Sequence, residues 1–162
     1  MGGLMSRNKG KRAEREIVVL LQAVVDEVYG SRKDKPILQR NALQAEFGGA
    51  DLHGLDWLAL EVKHHAKITP GKVQEWWVQT LAQAAQRDLT KPGQLPVLVY
   101  RQNNTAWRVR MRGAVYMGVG TLDGGYGGML VHEVVEVSMH VFLGVFEQRL
   151  RLVLHPELGH GG

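Results

Sequence analysis

The sequence predicts an α/β domain, a central mixed β-sheet flanked by helices, and three observations predict it. The 162 residues are 44% hydrophobic and 22% charged, an ordinary mix for a folded chain of one domain's length. Residues 56–64 alternate, with Leu58, Leu60 and Val62 on one side and Trp57, Ala59, Glu61 and Lys63 on the other, which is strand periodicity. Segments of helical spacing precede and follow that strand, and the order helix, strands, helix, strands, helix is that of an α/β layer structure.

Taken in order, residues 1–8 read as a loose tail. From Lys9 to about Val28, the residues Ile17, Leu20, Leu21, Val24, Val25 and Val28 recur at helical spacing, and Gly30 suits the helix end because it tolerates positive φ. Ser31 to Pro36 is a polar, basic connector, and Ile37 to Arg40 reads as a short strand. Gly48-Gly49-Ala50 makes a pliable approach to Asp51, ahead of the strand over 56–64. Thr69-Pro70 starts the next helix, Thr as cap and Pro in the first turn, with Val73, Trp76, Trp77, Leu81 and Ala84 as its apolar stripe to about Arg87. Pro96 to Tyr100 and Ala106 to Met111 read as paired strands joined through Gln102-Asn103-Asn104, and Ala114 to Met117 as a further strand. After the glycine-rich stretch 118–128 come a Val-rich strand, Leu130 to Val137, and a last helix capped by Ser138. Residues 154–162 read as a second loose tail, so residues 1–162 are expected to form a single domain.

Composition excludes several classes. With no cysteine there are no disulfides, thiolate zinc sites or cysteine nucleophiles. The longest apolar run is about six residues, far from the roughly 20 that cross a bilayer. The opening Met-Gly-Gly-Leu-Met-Ser has the spelling of a myristoylation signal but no second membrane signal beside it, and no apolar stretch of a secretory signal follows. The expectation is a cytoplasmic, intracellular protein without a membrane partner.

The net charge of +4 hides a pattern. Residues 1–40 carry +4, residues 41–75 carry −2, residues 76–112 carry +5 and residues 113–162 carry −3. Basic flanks suit a polyanion, and an acidic middle repels one unless a cation neutralises it.

The acidic middle holds the chemistry. Glu61 and Lys63 lie two apart on a strand and share a face, and Asp51 enters from the turn before it. Asp56 is a rival to Asp51, but it sits at the strand start only five residues before Glu61. Two converging carboxylates repel each other and are most stable around a hard divalent cation; Mg2+ suits one or two carboxylates with waters and phosphate oxygens. Such an ion polarises a phosphate and activates water. The neighbouring carboxylates favour the charged form of Lys63, which therefore serves as a cation that orients the water. The triplet Glu-Val-Lys alone arises about once by chance in a chain this rich in acids and lysines, so its weight comes from its strand and from Asp51 ten residues before.

The segment Gly49-Ala50-Asp51-Leu52 followed by Leu58-Ala59-Leu60-Glu61-Val62-Lys63 resembles the PD-(D/E)XK nuclease superfamily, with Ala50 where the motif has proline. The run Lys9-Gly10-Lys11-Arg12-Ala13-Glu14-Arg15-Glu16 resembles the opening helix of archaeal-type Holliday junction resolvases and their virus-encoded relatives. The resemblance implies a restriction-endonuclease-like core and a Mg2+-dependent endonuclease, Mn2+ substituting, that resolves branched double-stranded DNA as a homodimer. It places Glu14 with Asp51 and Glu61 on the metal, the Val62 carbonyl as a further ligand, and Lys63 as the assisting cation. It makes Arg40 a DNA contact and gives Gln79 or Gln83, on the second helix, a supporting role. The alternatives are a phage-type nuclease of the same superfamily acting on linear, flapped or single-stranded DNA, and an inactive DNA-binding module.

Spacing supports Glu14 separately, because it borders the buried stripe of the first helix whereas Glu16 lies more outward. Lys9, Lys11, Arg12, Arg15, Arg32, Lys33, Lys35 and Arg40 cluster before the acidic site and are the expected phosphate contacts. Trp76-Trp77 reads as packing, and His64-His65 as phosphate contacts or exposed residues.

Overall fold

The computed structural model describes residues 2–42, 50–85, 94–113 and 134–157, with residues 2–7 described as backbone only. Helix α1 (Gly2–Tyr29) leads to β1 (Gln39–Arg40), β2 (Leu52–His53) and β3 (Leu58–His65). Helix α2 (Pro70–Ala85), strands β4 (Leu95–Gln102), β5 (Arg108–Arg112) and β6 (Val134–Ser138), and helix α3 (Met139–Leu154) follow. Strands β3, β4, β5 and β6 form one mixed sheet in that order, β3 and β4 parallel and the other pairs antiparallel. The short strands β1 and β2 pair antiparallel, Gln39 with His53 and Arg40 with Leu52.

Two helices cover one face of the sheet and one covers the other. Ala13, Ile17, Leu21 and Val25 recur every four residues along α1 and are buried against Leu60, Val62, Val97, Val99, Val109 and Met111, together with Phe142, Phe146 and Leu150 of α3. On the opposite face Val73, Trp76 and Trp77 of α2 pack on Leu98 and Tyr100, so the paired tryptophans are core residues. Three layers result.

Local chemistry explains the ends. Gly30 adopts φ +55°, and its N–H donates to the Asp26 carbonyl at 2.9 Å, closing α1. The Thr69 hydroxyl accepts from the Lys72 N–H at 3.2 Å, and the Ser138 hydroxyl accepts from Val141 at 3.3 Å. Residues 2–8 are not a loose tail but the first turns of α1, with no proline to break them. The strand at 56–64 starts at Leu58 and runs to His65, and its two sides are both buried, because α2 covers the side where Glu61 stands in register with Leu98. The expected strand at 114–117, the glycine-rich stretch 118–128, most of the segment 41–49, the expected helix end near Arg87 and the end of the C-terminal tail lie outside the described residues. Among the described residues no helix is long and apolar enough to cross a membrane.

Candidate active site

The site is built at the open edge of β3, the edge not paired with β4. Backbone bonds clamp Asp51 there: its N–H donates to the Leu60 carbonyl at 2.9 Å, and its carbonyl accepts from the Asn41 N–H at 2.8 Å. Its side chain completes the clamp, Oδ2 accepting from the Val62 N–H at 2.6 Å. The N–H and C=O of one strand residue leave the same edge, so the Val62 carbonyl also faces this side. Asp56, the rival, is exposed, whereas Asp51 is 5% exposed.

Glu61 is 1% exposed, and neither carboxylate oxygen accepts a hydrogen bond. Lys63 supplies its counter-charge through an ion pair from Nζ to Glu61 Oε1, a charge contact outside hydrogen-bond geometry. The Asp51 carboxyl is pushed up to about 7 by burial first and then by the negative charge of Glu61; the Val62 N–H and Lys63 pull against that shift. A buried carboxylate pair short of donors is the environment that a hard divalent cation relieves. Asp51, Glu61 and the Val62 carbonyl therefore fit such an ion, which needs only one or two protein carboxylates.

Glu14 is paired with Arg40. Its Oε2 accepts from Arg40 Nη1 at 3.2 Å, and among the described residues no three His, Asp or Glu side chains stand at metal-holding spacing. Glu14 remains in the electrical neighbourhood. Its carboxyl is raised chiefly by burial, an effect Arg40 opposes and Glu61 reinforces. Arg40 is thus occupied by an acid of the site.

The other basic residues divide into two groups. Lys9, Lys11, Arg12 and Arg15 lie on the N-terminal half of α1, the last three exposed. Arg32, Lys33 and Lys35 follow its C-terminus, about 20–30 Å further along at 1.5 Å per residue. There Arg32 forks onto Asp34 at 2.9 Å, and Lys35 pairs with Asp26 at 3.0 Å. Gln79 is exposed, while Gln83 is half-buried, its Oε1 buried without a hydrogen-bond partner.

Sequence reasoning missed three supports. Asn41 clamps the approach to Asp51 twice, its Nδ2 donating to the Ala50 carbonyl at 2.9 Å as its N–H holds Asp51. Gly54, at φ +116°, passes so close to Ile37 that a Cβ would lie 2.6 Å from the Ile37 carbonyl oxygen. Its glycine was the available signal. Glu16 is not a plain outward residue: its carboxylate accepts from Arg101 at 3.1 and 2.8 Å and from the Trp107 indole at 2.8 Å. Partners 85 and 91 positions away leave no mark in local spacing.

The profile of a family described as "phage putative PDDEXK endonuclease" matches residues 5–121. This chain belongs to that family. The match covers more than two-thirds of the chain and spans Glu14, Asp51, Glu61 and Lys63. It bears out the PD-(D/E)XK superfamily resemblance read from Asp51, Glu61 and Lys63, and with it a nuclease of α/β fold. No curated protein and no solved structure matches the chain.

Proposed function

We propose that the chain is a Mg2+-dependent endodeoxyribonuclease, Mn2+ substituting, that hydrolyses DNA phosphodiesters at the β3 edge and prefers four-way junctions, which it cuts as a homodimer. The observation that carries the reading is the pair of hydrogen-bond-free, buried oxygens on Glu61 beside the strained carboxyl of Asp51. Asp51, Glu61 and the Val62 carbonyl would hold the ion, with Glu14 close behind them against Arg40. A bound divalent ion polarises the scissile phosphate and lowers the pKa of the attacking water. The chain's own residues do the rest. Asp51 gives up its proton as the ion binds. Lys63, tethered to Glu61, presents a cation where charge develops on the phosphate and orients the water. Lys9, Lys11, Arg12 and Arg15 grip the backbone by charge rather than by base sequence.

Junction preference rests on the Lys9–Glu16 signature. The phage character of the family favours a second substrate reading, linear, flapped or single-stranded DNA, through the same chemistry. A synthetic four-way junction and a linear duplex of the same sequence, each incubated with Mg2+, separate the two; Asp51→Ala and Glu61→Ala proteins serve as controls. Selective cutting of the junction supports the first reading, and equal cutting removes it in favour of the second. Absence of cutting by the parent protein under Mg2+ and Mn2+ leaves an inactive DNA-binding module.

A further inference from the structure

Beyond Lys63 the sheet opens into a groove of about 970 Å3 at the C-terminal ends of the parallel strands β3 and β4. Lys9 and Arg12 of α1 form one wall, His64 and His65 the floor, and Arg101 with the Asn103 turn the other wall. Among the described residues that line it there is no carboxylate.

The cations are held in place. Arg101 is fastened by the Glu16 carboxylate on one side and lies 4.2 Å over the Trp107 ring. Lys9 donates from Nζ to Asn103 Oδ1, and the Asn103 N–H donates to the His65 carbonyl at 3.0 Å. A rim fixed before binding loses less side-chain freedom when an anion arrives. Its position matters as well. His64 is the residue after Lys63, and Lys9 precedes Glu14 by five residues, about 7.5 Å of helix rise. Phosphates on one strand of a duplex are about 3.4 Å apart along the axis, so Lys9 stands about two phosphate rises from Glu14.

We infer that this groove is the track for the cleaved DNA strand beyond the scissile phosphate, with Arg101, Asn103 and His64 as phosphate contacts alongside Lys9 and Arg12. The inference rests on the nuclease reading of the adjacent site and adds the β4–β5 turn to the substrate surface. No tryptophan, tyrosine or phenylalanine lines the groove among the described residues, so it offers charge and hydrogen bonds to the backbone rather than an aromatic stack to the bases.

The test is equilibrium binding of a fluorescein-labelled DNA duplex in EDTA, by anisotropy, across a salt series. The double variant Arg101→Gln/Glu16→Gln deletes the groove cation and its partner together, so the net charge of the protein stays the same. It is expected to bind severalfold more weakly, with a salt slope less negative by about 0.9, the contribution of one phosphate contact. Arg12→Ala, on an exposed helix face, gives the same result without touching the Glu16 cluster. Arg151→Ala, on α3 and paired with Glu147 at 2.7 Å, is the equal-charge control and leaves the slope unchanged. Binding by both groove variants equal to that of the parent, or a loss in Arg151→Ala as large as in Arg12→Ala, overturns the inference. If the parent cuts DNA while the groove variants bind normally, the groove alone is refuted; if the groove variants lose binding and the parent cuts nothing with any divalent ion, the groove remains a DNA-binding surface, and the nuclease reading falls together with the cleaved-strand track.

Discussion

Replacing Asp51 by Asn removes one of two buried like charges while keeping an oxygen to accept from the Val62 N–H. The ordinary carboxyl value is 3.8 and the folded one is about 7, a difference of roughly three units at 1.36 kcal/mol each. Ionised Asp51 therefore costs the metal-free fold up to about 4 kcal/mol. The sign follows from proton binding: between those two values the folded state holds more protons than the unfolded state, so this contribution to stability falls as pH rises from about 4 to about 7 and is constant above. Asn does not titrate. Asp51→Asn is therefore expected to be more stable than the parent in EDTA at pH 8, by roughly 5–15 °C in melting temperature for a domain of this size. That gain shrinks steadily towards pH 4. Calorimetry of both proteins in EDTA at pH 5 and pH 8 measures it. In the same variant cleavage is expected to fall by at least about a hundredfold, the loss expected of a metal ligand rather than of an outer support. A variant less stable than the parent at pH 8, or a gain identical at both pH values, would refute the claim that Asp51 and Glu61 are buried charges in conflict.

Three further outcomes are expected. Mg2+ should raise the melting temperature of the parent more at pH 8 than at pH 5, because at pH 5 the ion must displace the Asp51 proton, and thermal shift against Mg2+ concentration reads the difference. Lys63→Met should abolish cleavage and lower stability in EDTA, leaving the buried Glu61 without its counter-charge, while Lys63→Arg retains part of both; equal inactivity under saturating metal would show that charge alone is an inadequate account of Lys63. Gly54→Ala should cost about 1–3 kcal/mol in urea unfolding, because φ +116° strains an L side chain and its Cβ would meet the Ile37 carbonyl, and cleavage should fall with it as the β1–β2 pair that positions Asp51 shifts.

Local patterns in the chain were legible wherever a short-range rule applied. The α1 stripe, the Gly30 end, the Thr69 and Ser138 caps and the alternation around Glu61 all depend on residues within a few positions of one another. The start of α1 at Gly2 went unread because its first turns carry no apolar periodicity to announce them. Glu16 shows the converse. Helical spacing puts it outside the stripe, and only the arrival of β4 and β5 gives its carboxylate Arg101 and Trp107.

The candidate site divides along the same line. Sequence alone determined the candidate groups, Asp51 ahead of a strand bearing Glu61 and Lys63, because residue type and two-residue periodicity are properties of the chain itself. Tertiary structure decided the electrostatics. Burial of both faces of β3 under α1 and α2 leaves Glu61 with Lys63 as its counter-charge and drives the Asp51 carboxyl up, and packing sets Glu14 against Arg40. Desolvation and charge pairing depend on distances between segments remote in sequence, and those distances exist only after the layers have closed.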